Sequence, residues 1–441
     1  MSIIFAEIVI DSYQDPTKRL FTYQVPDNLT DSAKEGAKVV APFGKRVVEG
    51  YIWNITTTKP PFPTRPIQEI KESGFSKNQL KLAKWMAGHY LASPLDCLKC
   101  QSGGKGEKSA NSPVETVATL LLVPSVSQVN FRAGTEKQKN VMIGSRSAVF
   151  AQLPNLKKII IEEPENWNYK DERAPYYHAA AAAQKRAEIE GLEIELRPQN
   201  PKIKPSRIAD LDVEKLAGNF TLVSQSLEGA LTSGKYTIVY VNSRELRDKI
   251  REEIHRIGVD KNRYEIAGPE LFSALGKETH YTVWADVDTL LNLPDFRAHE
   301  KIVWTVQKLS RITKGELILQ TSSPQNSLFA DLAAGDLTAF HRRDRAVRRE
   351  LGYPPFSTLI KLSFSAKSST RANPEAENLY EQIQDMGYEI SAPYEPYGRT
   401  PGKVQLNLTV KIKPNDVAAL AKLAKVIPPE WKAEVDPESL L

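Results

Sequence analysis

Residues 101–116, QSGGKGEKSANSPVET, are rich in Gly, Ser and Lys and carry no apolar periodicity, and the character of the chain changes across them. Before this run, residues 3–10 (IIFAEIVI), 20–25, 37–42 and 47–55 read as short strands dense in β-branched residues. Phe43-Gly44-Lys45-Arg46 forms the turn between the last two, with Gly44 able to take a positive φ. Such strands suggest a small antiparallel barrel of the size that holds oligonucleotides. A proline-rich extended stretch, KPPFPTRP (59–66), follows. Ser76 then caps a helix with Leu80, Ala83, Ala87 and Tyr90 on one face.

After the run the pattern is strand–helix alternation, as two parallel-sheet α/β lobes require. Residues 119–123, 158–161 and 192–196 read as strands and 175–192 as a helix. Beyond a polar stretch (197–206), 236–241 is a strand, 243–257 a helix and 281–285 a strand, with 301–306 and 316–320 strand-like. From about 336 an arginine-rich helix leads into Gly352-Tyr353-Pro354-Pro355-Phe356, and 359–364, 404–412 and helix 414–426 suggest a closing α+β domain. The expected division is 1–100, a linker at 101–118, lobes at 119–215 and 216–335, and a last domain at 336–441.

A net charge of +5 permits nucleic acid as a partner without demanding it. Two cysteines exclude a disulfide scaffold or a four-thiolate zinc site. The start, MSIIFAEIVIDSY, has Glu7 in its apolar stretch and no basic region, unlike a signal peptide, and the best apolar run, 117–123, is too short to span a bilayer. A cytoplasmic chain, off the membrane, is expected.

Two α/β lobes invite a nucleoside-triphosphatase reading, but a phosphate-cradling loop needs Gly-x-x-x-x-Gly-Lys-Ser/Thr. The Gly-Lys pairs at 44–45, 104–105, 234–235, 276–277 and 402–403 are never followed by Ser or Thr. Gly103-Gly104-Lys105-Gly106 reads as a tether. Glu162-Glu163-Pro164-Glu165 follows a strand where a helicase-type enzyme sets its magnesium-binding and water-activating carboxylates. Without a phosphate loop, a solvated strand-end cluster is the plainer reading. Six scattered histidines show no metal-ligand spacing, and Cys97 and Cys100 have redox spacing without a second ligand pair. No catalytic residue and no metal site are expected.

Phe21-Thr22-Tyr23-Gln24-Val25-Pro26, Val39-Val40-Ala41-Pro42-Phe43-Gly44-Lys45 and Glu49-Gly50-Tyr51-Ile52 resemble the amino-terminal DNA-binding domain of the primosomal protein N′ (PriA) family of replication-restart helicases. Leu82–Leu91, Ile143–Leu156, Leu291–Ala298, Leu351–Phe356 and Val435–Leu441 are similar to later parts of that family. The resemblance implies a β-barrel-like DNA-binding domain, two degenerate helicase-type lobes and a C-terminal α+β domain. The family's phosphate loop, eight-cysteine zinc module and Gly-Ser-Ala-Thr segment have no counterpart, so its ATP, magnesium and zinc sites look lost. Of its Gln-x-x-Gly-Arg-x-Gly-Arg motif only Gln307 and Arg311 persist, and its Asp-Glu-x-His box is replaced at Glu162 and Glu163.

The resemblance further places Phe21, Thr22, Gly44 and Arg65, with Lys45 beside them, at a pocket for the 3′ end of a DNA strand. Phe21 is either a base-stacking group or barrel core, and Thr22 stands where the family has an aspartate. Arg146 sits where the family approaches single-stranded DNA, in a segment that a strand-to-helix cap also explains. Residues 341–349 hold five arginines, of which Arg342, Arg345 and Arg349 share a helical face that could track phosphates or simply be solvated. The first 100 residues carry a net charge of only +3, a weak field for DNA. The implied function is a nucleoid-associated replication-restart protein that binds forks, 3′ ends or single strands without unwinding. Its implied partners are single-stranded-DNA-binding, primosome and helicase-loading proteins. A scaffold that no longer binds DNA is the alternative, and an ATP-driven helicase a more distant one.

Overall fold

β1 (Ile4–Ile10) is apolar on both faces, so the N-terminal sheet is buried from two sides. Ala6, Ile8 and Ile10 join Tyr23, Val25, Val39, Ala41 and Ile52 in a core of the sheet's own, while Val9 and Trp53 face helices. In this computed structural model, residues 3–11, 20–102, 117–135, 140–198, 205–210, 222–273, 278–397 and 402–441 are described. Most of the expected linker, including Gly103–Gly106, lies outside them.

With β2 (Phe21–Val25), β3 (Ala37–Phe43), β4 (Arg46–Thr56) and β5 (Glu69–Gly74), β1 forms an antiparallel sheet in the order β2-β1-β4-β3-β5. The order is open where a barrel was expected, with β2 and β5 at the edges. The free side of β2 is strapped instead: Gln24 N donates to Arg65 O (2.9 Å), and Ile67 N to Gln24 O (3.0 Å). α1 (Lys77–His89) starts at Ser76 in a complete capping box with Gln79, as its sequence predicts, and α2 (Pro94–Ser102) follows. Cys97 and Cys100 lie on α2, where the Cys100 thiol donates to the Cys97 carbonyl and burial pushes its pKa to about 12, far from a reactive thiolate.

β6 (Thr119–Leu122), α3 (Val126–Thr135), β7 (Val141–Gly144), β8 (Lys158–Glu162), α4 (Ala179–Glu190) and β9 (Glu193–Arg197) build a parallel sheet ordered β7-β6-β8-β9. α4 starts later than Pro175 because Lys170 and His178 first pair as an isolated β-bridge, and Gly191 ends it in the left-handed conformation.

A second parallel sheet, ordered β10-β14-β13-β11-β12, uses β10 (Arg207–Asp210), β11 (Thr237–Tyr240), β12 (Tyr264–Ala267), β13 (Thr279–Trp284) and β14 (Thr313–Thr321). Around it run α5 (Gln225–Thr232), α6 (Arg244–Ile257), α7 (Asp288–Leu291), α8 (Ala298–Ile312), α9 (Ser327–Ala334) and α10 (Thr338–Glu350). Residues 301–306, read from sequence as strand-like, are helix: Ile302, Val303, Val306 and Leu309 are buried at helical spacing, a period that a six-residue window cannot resolve. β10 falls inside the range expected for the first lobe, yet it pairs with β14 of this sheet.

The chain closes with β15 (Thr358–Ala366), α11 (Ser369–Asp385), β16 (Glu389–Ile390), β17 (Val404–Ile412), α12 (Val417–Val426) and β18 (Lys432–Val435), in the antiparallel order β16-β17-β15-β18. Two compact units result, one of residues 1–198 with 357–440, the other of 199–356. The arginine-rich helix, expected to open the last domain, therefore belongs to the second unit. The first unit is continuous because one apolar core runs from α1 and α2 through the β6–β9 sheet to β15 and β17. Buried Lys170 ties the same regions together, its Nζ donating to Val435 O (2.6 Å) and lying 5.7 Å from the Tyr90 ring centroid.

Candidate nucleic-acid interface

At one corner of the N-terminal sheet, the β3–β4 hairpin turns on Gly44 and Lys45, between paired Phe43 and Arg46. Gly44 has φ +61°, a value that only glycine adopts at no cost, and a Cβ there would meet nothing within 4 Å. The turn is thus open to solvent, with Lys45 exposed beside it. Half-buried Phe21 packs edge-on against Phe43, centroids 5.0 Å apart. Exposed Arg65 reaches across from the strap, and its Nη1 donates to Gly44 O (2.8 Å). Next to it, Tyr23 donates to Pro42 O, and burial raises its phenol pKa, partly offset by the Arg65 charge. Phe21, Phe43, Gly44, Lys45 and Arg65 therefore form one cationic, aromatic corner.

Thr22 points elsewhere. Phe21 and Tyr23 pair with Ile8 and Ala6, all on the core face, so the pleat sends Thr22 to the opposite face, across from Glu7. The Glu7 carboxylate there accepts from Asn54 (2.7 Å). Phe43 was not singled out from the sequence as a site residue, although its place beside a glycine turn was the available signal.

The other candidates divide by whether their polar atoms are already engaged. Arg146 Nη1 donates to Lys170 O (2.8 Å) and its Nε lies 3.5 Å from Asp171, so it is held within the first unit. Glu162 is ion-paired with Arg132 (2.6 Å) and Arg197 (3.8 Å) at the end of β8. Glu163, at φ +50°, accepts from Asn166 (2.8 Å). Gln307 and Arg311 lie one turn apart near the end of α8, Arg311 exposed. On α10, Arg343 pairs with Asp331, and Arg348, only 8% exposed, with Asp344 (2.7 Å) and Glu300 (2.9 Å). Arg342, Arg345 and Arg349 are exposed and form no ion pair among the described residues, although, after hydrogen bonds from Thr338, the Arg342 charge helps hold the Asp336 carboxyl below its ordinary range.

Residues 7–101 match the model of the PriA 3′DNA-binding domain (3′BD). Replication restart protein PriA of Bacillus subtilis (strain 168) is 21% identical over 434 residues, covering 69% of this chain and 53% of its own length. Its namesake from Chlamydia muridarum is 21% identical over 372 residues, 56% of this chain and 49% of its own. The chain is similar to PriA proteins over much of its length, with residues 7–101 like their 3′DNA-binding domain. It spans about half the length of these curated relatives. The PriA of Chlamydia trachomatis is 31% identical over 102 residues, 22% of this chain. Dbp5 of S. cerevisiae, solved with RNA and ADP BeF3, covers 63% of this chain at 12% identity with a TM-score of 0.34, a likeness too loose to argue from. None of the described helices is long and apolar enough to cross a membrane.

Proposed function

We propose that this chain is a replication-restart protein of the PriA type that binds 3′-ended or forked DNA at the corner formed by Phe21, Phe43, Gly44, Lys45 and Arg65, and serves as an assembly platform without unwinding DNA. The observation that carries the reading is Arg65, held on the Gly44 carbonyl beside an aromatic pair, inside the segment that matches a 3′DNA-binding domain. One guanidinium nitrogen is engaged, and the remaining donors are available to a phosphate. The open turn lets a strand end approach the backbone, and Phe21 or Phe43 offers an edge or face to a terminal base.

The motor is proposed to be silent, without ATP, magnesium or zinc. The phosphate-loop motif is missing from the sequence, and the Glu162 carboxylate, at the place of a magnesium-binding acid, is neutralised by two arginines. The protein partners proposed are single-stranded-DNA-binding, primosome and helicase-loading proteins. A second reading, a scaffold that has lost DNA binding, draws on Thr22 facing away from the corner and on the weak +3 charge of the first 100 residues.

Fluorescence anisotropy on a fork with a free leading-strand 3′-OH, against the same fork 3′-phosphorylated, separates these readings. Tighter binding to the free end is expected. No binding at low salt leaves the scaffold, and ATP-dependent unwinding by the pure protein overturns the silent motor.

A further inference from the structure

α10 carries its five arginines in two chemically distinct states. Arg343 is ion-paired with Asp331, and Arg348, whose guanidinium also lies over Phe296, with Asp344 and Glu300. Arg345 and Arg349 instead lie over the Phe356 ring, their guanidinium carbons 5.6 and 4.8 Å from its centroid. A guanidinium stacked on an aromatic face uses its own face for the contact and keeps its edge donors free. Stacking also limits rotamer freedom, so part of the ordering entropy that a phosphate contact would cost is already spent. Arg342 continues the same face one turn earlier, and the three positions span about 10 Å of helix axis. The half-buried Phe356 lies in the Tyr353-Pro354-Pro355-Phe356 segment, where Tyr353 itself stacks on Phe296 at 4.8 Å.

We propose that the Arg342–Arg345–Arg349 face of α10, with Phe356 as the plate that orients Arg345 and Arg349, is a second DNA contact that grips the phosphate backbone without reading sequence. Charge favours it: the ridge is cationic and exposed, and Arg345 and Arg349 form no ion pair among the described residues. Fork chemistry matches the forked guanidinium donors. Because both guanidinium groups cover Phe356, bases are not stacked there, and discrimination among bases is absent. Phe356 acts as a positioning residue. This inference rests on the reading that the chain binds DNA, but not on the 3′-end corner.

The test uses the full chain and labelled thymidine oligonucleotides ending in a 3′-phosphate, which removes free-end recognition, alongside a blunt hairpin duplex. Arg345→Ala with Arg349→Ala is expected to weaken binding at least about tenfold and to lower the slope of log affinity against log salt by about 2. Arg343→Ala removes the same kind of charge from an ion-paired position and is expected to stay within about twofold. Phe356→Leu keeps both charges, so it should reduce affinity while leaving the salt slope unchanged. Whichever substrate shows these effects identifies the strand type held. Equal effects of Arg343→Ala and Arg345→Ala, or an unchanged salt slope in the double variant, overturn the proposal; an acidic protein is then the partner that suits this ridge. Absence of 3′-OH discrimination by the unaltered chain on the fork pair, with these slope effects intact, would instead count against the corner alone.

Discussion

The N-terminal corner and the α10 ridge both present arginine, and they prepare it in opposite ways. At the corner, Arg65 spends an edge donor on the Gly44 carbonyl, which ties the side chain to a turn and fixes where its remaining donors point. On α10, Arg345 and Arg349 spend their faces on Phe356 and leave every edge donor open. The first arrangement suits one end in one orientation, and the second suits a backbone that slides. Guanidinium count alone does not distinguish them; what each group has already bonded to does.

The largest effect expected from breaking this contrast is at an arginine belonging to neither class. Arg348→Ala would leave Asp344 and Glu300 without their shared cation and Phe296 without the guanidinium over it, costing about 3 kcal/mol of stability. Arg345→Ala should stay within about 0.5 kcal/mol in the same thermal melts. Next comes Arg65→Ala, which should abolish preference for a free 3′-OH and cost about 1.5–3 kcal/mol of fork binding, read by anisotropy. A retained preference would move the end-binding site away from the corner. Smaller still is Thr22→Asp, which sets a second carboxylate across from Glu7. It should lower stability by up to about 1 kcal/mol without sharpening end discrimination; a gain in discrimination would place the site on the other face of β2.

pH separates stability from binding. Burial holds His89 and His299 below the ordinary histidine range, with Asp436 opposing this for the first and Asp344 for the second. Neutral imidazole is therefore favoured in the fold, and this stabilisation is fully present above about pH 6.5 and is lost as pH falls through the depressed values. Melting temperature should drop between pH 7 and pH 5, while arginine-based DNA contacts stay flat across any window in which the chain remains folded.

Much of this could be read from the chain itself, for physical reasons that differ by residue. Ser76 announces α1 because a cap is a local interaction, and the 404–412 run announces β17 because its period is long enough to count. Gly44 announces a turn, and Arg65 was named through the family resemblance. What escaped depends on distance along the chain. The arginines that neutralise Glu162 lie 30 and 35 residues away, and α8 hid inside a short apolar run. Phe356 was visible in a quoted motif, but its contact with Arg345 and Arg349 needs the chain to fold back at Gly352 (φ +61°).

The division of the first unit between residues 1–198 and 357–440 sets an order of events during synthesis. The β6–β9 sheet leaves the ribosome long before β15, β17 and β18, its partners in one core, and before the Val435 carbonyl that accepts from Lys170. At about 5–20 residues per second the wait is roughly 10–50 s, during which its core has α1, α2 and its own α4 for cover but not the closing strands. Nascent chains stalled short of residue 430 should thus be cut by protease within 119–197 and bound by holdase chaperones, and release of the last strand should end both.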